Sequence, residues 1–358
     1  MTRIGALIPA TAPGWVEAGE QLLAGLELGV EWVNERRDLL DHPVELIVRD
    51  TAADASRAVA IVNELAADGI SALAGEYHSV VAGAVAKRAA ELALPFLCSS
   101  AVLDNLTDGP TDHVARIAPA QSRGWRVYAD YLLEAGHRRI AVAKQSNIYW
   151  ETGTQILTTH LASKGAELVQ FDLDALSAAD LPTHLADDGA TALLVLTGFP
   201  EPATSIVRAI RSDARLDHVK IGTPAGQSEF AQWTDLLGQE GVGIPFLSYM
   251  PKSLPAFGKQ ISDALHARLG SPPSFVALEG FDTVLALADA LRRKAGGDGP
   301  LWANVDIQGT RGRITFAKVP SIPIWQWAWP PIAVAERPRD GDAELRISYR
   351  PESVSGTY

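Results

Sequence analysis

Short, wholly apolar runs alternate with segments whose apolar residues return every three to four positions, and this alternation governs most of the chain. Residues 4–8 form the first run and precede Leu22, Leu26, Val30 and Val33, which share one helical face. The second run, 44–48, precedes Val59, Val62 and Leu65, with Asp54 or Ser56 placed to cap that helix and Gly69 to end it. A strand over 70–74, a helix over 78–92 and a strand over 94–98 continue the series. Continuously apolar strands must be covered on both faces, as in a parallel sheet. Helices of this length between them impose right-handed parallel crossovers. The predicted class is therefore α/β.

A second series follows: helix 125–135 stopped by Gly136, strand 139–143, helix 153–164, strand 167–171 and a helix near 179–185. Strand 192–196, helix 202–211, strand 218–222 and a helix near 230–237 complete it. A chain of 358 residues exceeds one ordinary core. Two doubly wound halves, joined near 118–120, are the natural division, alike in pattern without any internal sequence repeat. After Met250 the pattern turns helical over 254–269 and 275–293. The tail reads as strands over 309–318 and 322–334, the second alternating Trp325, Trp327 and Trp329 so that one face packs on a lobe or hinge. Pro330 and Pro331 confine that strand to an edge or an ending.

Several function classes fall away. A net charge of -12 opposes a nucleic-acid backbone as partner. The run Arg292-Arg293-Lys294 closes a helix, where cations meet the macrodipole favourably. The single cysteine, Cys98, rules out an internal disulfide and a multi-thiolate metal site, and reads as a small buried hydrophobe. The eight histidines show no metal-ligand spacing, so neither metal nor cofactor is expected. The first strand lacks a dinucleotide glycine fingerprint, and Walker, HExxH and GxSxG motifs are absent, so an enzyme is disfavoured. No apolar stretch reaches the ~20 residues of a membrane span, so membrane insertion is not expected.

Ligands of open α/β sheets bind beyond the carboxyl ends of strands. The loop over 9–18, ahead of the Gly19–Gly25 helix start, carries Trp15. After the third strand stands Gly75-Glu76-Tyr77-His78-Ser79, where a hydroxyl at a helix start can receive a carboxylate or carbonyl, or cap its own helix. Ser99, Ser100 and Ala101 follow the fourth strand. In the second half, Tyr149 and Trp150 form an aromatic pair expected on a loop, where both are candidates to line a ligand cleft, and Phe199 follows another strand end, either facing that cleft or packing under Pro200.

The chain resembles the type I periplasmic binding proteins, in the leucine/isoleucine/valine-binding branch with its amide- and urea-binding relatives. The resemblance runs from Ile4 to about Ala317 and is carried by the Gly19–Gly25 helix start, Asn34-Glu35, Asp50 with Ala53-Asp54, and Ala58-Val59. It continues through the 75–79 loop, Leu106-Thr107, Tyr149 and Glu279-Gly280-Phe281-Asp282. It implies two doubly wound, Rossmann-like lobes joined by a three-strand hinge, with a ligand caught by lobe closure. Lobe one would comprise 1–118 and 250–318, and lobe two 119–249 and 319–358. On this resemblance Ser79 and the 99–101 backbone hold a carboxylate or carbonyl, Tyr149 and Phe199 close over it, and Trp15 stacks or packs against the side group.

A tyrosine two residues before the serine, Tyr77, is similar to the amide-binding members. Amino-acid binders of the family place an acid after the strand ending at Gly222, where this chain reads Thr223-Pro224-Ala225-Gly226-Gln227. Gln227 cannot neutralise a buried ammonium. Glu229, Glu76 or Glu151 could substitute; otherwise an amide, a urea-like compound or an aromatic carboxylate fits. The expected function is solute capture for the membrane permease of an ABC importer, working in the periplasm or outside the cytoplasm if a leader was removed. If Met1 is the native start, the alternative is a cytoplasmic ligand-sensing regulator that acts on a partner protein.

Overall fold

Each apolar run becomes a strand and most of the periodic segments become helices. The computed structural model describes residues 1–36, 40, 42–294, 299–338 and 345–351. They divide into two units: Met1–Ala120 with Tyr249–Pro331, and Gln121–Ser248 with the described residues from Ile332 onward.

Unit 1 begins with β1 (Thr2–Ile8), α1 (Val16–Glu35), β2 (Val44–Asp50), α2 (Ala55–Ala67), β3 (Ala72–Gly75) and α3 (Ser79–Glu91). Then come β4 (Phe96–Cys98) and β5 (Val114–Arg116). Asp54 caps α2 by accepting from the Arg57 amide at 2.8 Å, and Gly69 follows its end with φ +72. Unit 2 opens with α4 (Gln121–Glu134), β6 (Arg139–Lys144), α5 (Ile148–Ser163), β7 (Glu167–Asp172) and α6 (Leu181–Asp188). It continues with β8 (Ala192–Leu196), α7 (Ala203–Arg211), β9 (Lys220–Gly222), α8 (Ala231–Leu237) and β10 (Phe246–Ser248). The chain re-enters unit 1 as α9 (Ala256–Leu269), α10 (Phe275–Lys294), β11 (Asp306–Gln308), β12 (Arg313–Lys318) and β13 (Trp325–Trp327). The last described strands, β14 (Ala333–Glu336) and β15 (Arg346–Tyr349), belong to unit 2.

In unit 1 the sheet order is β11-β12-β13-β5-β4-β3-β1-β2. Its pairs from β13 to β2 are parallel, while β12 pairs antiparallel with both β11 and β13. Helices α2 and α3 cover one face around Val62, Leu65, Val85 and Phe96. On the other, α1 packs on α10 so closely that a Cβ at Gly25 would lie 1.9 Å from the Ala277 carbonyl oxygen. Leu22, Leu26, Val30 and Val33 are all buried, each stabilising by roughly 1.5–3 kcal/mol. Unit 2 has a parallel sheet β7-β6-β8-β9 and an antiparallel sheet β10-β14-β15, linked by a bridge between Thr223 and Phe246. Its core gathers Leu193, Val195, Ile206, Ile221 and Trp233.

The tail departs from its sequence reading. Segment 309–318 is a turn followed by a strand, because Gly309 donates to the Gly312 carbonyl at 2.9 Å and turns the chain between β11 and β12. Segment 322–334 is two strands in different units, separated by Pro330 and Pro331, which donate no ladder bond. Trp325 and Trp327 are buried in unit 1, whereas Trp329 is 54% exposed. Of the segment 319–358, residues 339–344 and 352–358 lie outside the described residues.

Candidate functional site

Four loops at the carboxyl ends of β1 to β4 are tied together inside unit 1. Gly75, at the end of β3, has φ +106, and a Cβ there would lie 2.0 Å from the Leu7 carbonyl oxygen, so only glycine lets β3 end against β1. Glu76 follows and is fully buried. Its Oε1 accepts the Tyr77 and His78 amides at 2.8 and 2.9 Å, and its Oε2 lies 2.6 Å from the Thr51 hydroxyl beyond β2. Burial pushes its pKa up to about 7, against the hydrogen bonds from Thr51, His78 and Tyr77. The protonated form satisfies every partner: Glu76 donates to Thr51, and Thr51 donates to the Ile8 carbonyl at 3.2 Å.

His78 closes this arrangement. Burial pushes its pKa down to about 4, and its Nε2 accepts the Trp15 amide at 3.0 Å. Trp15 meets Tyr77 edge-on at 5.6 Å. Asp50 holds the first part of the same loop, accepting from Ala10, Ala52, Thr11 and Arg57. Burial raises its pKa, but the Thr11, Ala52 and Ala10 hydrogen bonds and the Arg57 charge outweigh it and hold the group below the usual carboxylate range.

Ser79 does not cap its helix. His78 occupies the N-cap, and the Ser79 hydroxyl oxygen instead accepts the amides of Val102 and Leu103 at 3.1 and 3.3 Å. Two donors aimed at the oxygen leave the hydroxyl proton to be given elsewhere. The 99–101 segment is turned inward. The Ser99 amide donates to the Gly75 carbonyl, those of Ser100 and Ala101 to the Glu76 carbonyl, and the Ser99 hydroxyl lies 2.9 Å from Thr283 on α10. These residues brace the β3 loop from behind. Cys98 is buried with its thiol pushed up to about 12 by burial, as a packing residue requires.

Behind Ser100, α10 carries two buried carboxylates. Arg311 donates to Glu279 and to the Tyr249 carbonyl, both at 3.1 Å, and approaches Asp282 at 3.5 Å. Asp282 also accepts from the amide and hydroxyl of Thr310, at 2.7 and 2.8 Å. Burial raises the pKa of both acids, Glu279 to about 7, against the Arg311 charge. The two Thr310 donors add to Arg311 in opposing that rise at Asp282.

In unit 2 the expected aromatic loop is the first turn of α5. Asn147 accepts the Trp150 amide at 3.0 Å and starts the helix five residues earlier than its apolar period suggested. Trp150 is buried and Tyr149 half-buried; Trp125 of α4 meets the Tyr149 ring edge-on at 5.7 Å and the Trp150 ring at a tilt at 6.5 Å. Gly153 leaves room for the Trp125 ring, and the Gln121 amide group donates to the Tyr149 carbonyl at 2.9 Å. Phe199 stacks on Trp233 at 5.7 Å and packs on the unit 2 core. Gln227 is buried and donates to the Thr197 carbonyl at 3.2 Å, which joins it to the β8 end that carries Phe199.

The structure thus brings Trp15 and Tyr77 together, sets Ser79 on the adjoining helix start, and separately clusters Tyr149 with Trp150. Sequence reasoning missed Thr51 and His78 as the struts of the first group. The available signal was an acid, Glu76, directly after a fully apolar strand, where an unsupported carboxylate would be costly. Among the described residues no group of three acidic, His or Cys side chains could hold a metal ion, and no helix is long and apolar enough to cross a membrane.

A family profile described as Periplasmic binding protein matches residues 2–305. The chain is 23% identical over 340 residues to Leu/Ile/Val-binding protein homolog 3 of Brucella melitensis biotype 1, covering 90% of each. In fold it is similar to the leucine-binding protein LivK from Thermotoga maritima, with TM-score 0.81, 17% identity and 97% of each chain covered. It is also similar to an ABC-transporter solute-binding protein from R. palustris in complex with benzoate, with TM-score 0.77 and 16% identity over 97% of this chain and 96% of that one.

Proposed function

The chain belongs to the periplasmic binding protein family, and from that premise we propose that it is a non-catalytic receptor delivering a small carboxylate, without a ligand ammonium, to the permease of an ABC importer outside the cytoplasm. The observation that carries the ligand class is the state of the acids and of Ser79. Glu76 is spent on Thr51 and its own loop amides, so it offers nothing to an ammonium. Segment 223–227 supplies the neutral Gln227, Glu151 is exposed on α5, and Glu229, buried on the turn that begins at Gln227, is the one of the three candidate acids that the leucine arm below tests. Ser79, by contrast, keeps a proton to donate at the start of α3, whose first amides favour an anion.

An aromatic carboxylate fits this chemistry best, since Trp15 and Tyr77 offer ring surface beside Ser79. A structural neighbour binds benzoate, and curated relatives are named for branched-chain amino acids, which supports import over a regulatory role. Thermal unfolding with benzoate, benzamide, urea and leucine tests the reading. A ligand bound only by the native state stabilises by about 2.7 kcal/mol at a hundredfold excess over Kd. Benzoate should raise the midpoint with no product formed. Tighter binding of leucine than of benzoate overturns the ligand class, and turnover of any ligand overturns the receptor.

A further inference from the structure

Nothing in the helix-start chemistry of α1 explains what holds Trp15. It is the N-cap residue of that helix and makes no side-chain capping bond. Its main-chain N–H is taken instead by the imidazole of another loop, His78 Nε2 at 3.0 Å. His78 is itself pinned, because its own amide donates to Glu76 at 2.9 Å while Glu76 lies 2.6 Å from Thr51. The Tyr77 ring stands edge-on to both the Trp15 ring, at 5.6 Å and 82°, and the His78 ring, at 5.5 Å and 88°. The imidazole thereby joins the loops after β1 and β3, and the Glu76 carboxyl joins the β3 loop to Thr51 after β2.

We propose that His78 is a positioning residue: by accepting the Trp15 amide it fixes the Trp15 and Tyr77 rings as a right-angled aromatic wall that selects planar over puckered carboxylates. The inference rests on the aromatic-carboxylate reading above. A neutral imidazole whose Nε2 is the acceptor can do this, and an ammonium or an alkyl group cannot. Without the acceptor, the Trp15 amide must find another partner and the loop re-seats, since an unmade bond to a shielded donor is costly. Aromatic pairs prefer edge-to-face or offset arrangements over other geometries, and a re-seated loop carries the Trp15 ring away from the edge-to-face position it holds against Tyr77.

The test compares the wild type with His78→Leu, which keeps bulk but no acceptor, and His78→Gln, whose side-chain oxygen can reach the Nε2 position. Affinities are measured by calorimetry for benzoate and for cyclohexanecarboxylate, which has equal charge and similar volume but no flat ring. The wild type should prefer benzoate by about tenfold, His78→Leu should bring the ratio close to one, and His78→Gln should restore it. A wild-type ratio in His78→Leu, or no recovery in His78→Gln, overturns the proposal. If the wild type binds neither acid, the ligand reading has failed. The positioning role is then read from Trp15 fluorescence, isolated by subtracting Trp15→Phe in each background. A shift in His78→Leu that His78→Gln reverses supports it, and an unshifted spectrum overturns it.

Discussion

Replacing Glu76 by glutamine should stabilise this protein increasingly as pH rises. The glutamine oxygen can accept the Tyr77 and His78 amides as Oε1 does, and its NH2 can donate to Thr51, which then bonds the Ile8 carbonyl. Glu76→Gln therefore reproduces the protonated acid's acceptor toward the two amides and its donor toward Thr51. In the folded chain the acid holds its proton to about pH 7, whereas its ordinary value is 4.5. Between those values the folded state binds more protons than the unfolded state, so stability falls as pH rises. At about 1.36 kcal/mol per pH unit, the loss across the window is roughly 3 kcal/mol. His78 works the other way, since its pKa is depressed to about 4 and its stability contribution grows as pH rises towards 6.5. The wild-type profile alone would therefore mislead, and the difference between variant and wild type isolates Glu76. Urea unfolding from pH 4 to 8 should show a difference near zero at the acid end, opening to roughly 3 kcal/mol above pH 7. A difference that stays flat across that range would refute a buried, proton-holding Glu76.

Ser79→Ala should weaken benzoate binding about tenfold, the cost of one hydrogen bond to a charged group, and should also lower the unfolding midpoint of the free protein, because the buried Val102 and Leu103 amides lose their acceptor; calorimetry and a thermal scan separate the two. Gly25→Ala should cost about 1–3 kcal/mol or more, because the new methyl meets the Ala277 carbonyl at 1.9 Å and must part α1 from α10; urea unfolding measures it. Arg311→Met should cost about 3–5 kcal/mol by taking the counter-charge from the buried Glu279 and Asp282, and the loss should shrink in acid as those carboxyls protonate; urea unfolding across pH measures it.

Where one sheet face and one helical stripe decided the outcome, the chain could be read directly. Strand β8 and the Asp54 cap are examples, since each depends on residues within a few positions of one another. Misreadings occurred where a second segment decided. The period-two tryptophans predict a strand, but nothing local says that Trp325 and Trp327 pair in unit 1 while Ala333–Glu336 pairs with β10 in unit 2. Strands β5 and β10 span three residues each, too short for a period to register.

The same division runs through the candidate site. Trp15, Tyr77 and Ser79 announce themselves by residue type at strand ends, so their loops could be found without coordinates. What those side chains do is set by partners far along the chain. Leu103 turns Ser79 from a helix cap into an available donor, Thr51 makes Glu76 a strut instead of a counter-charge, and Thr283 draws Ser99 into the core. Each of these changes alters which ligand charge the loops can accept. Ligand class in such a receptor is therefore decided less by the residues facing the solute than by the buried groups that hold their protons in place.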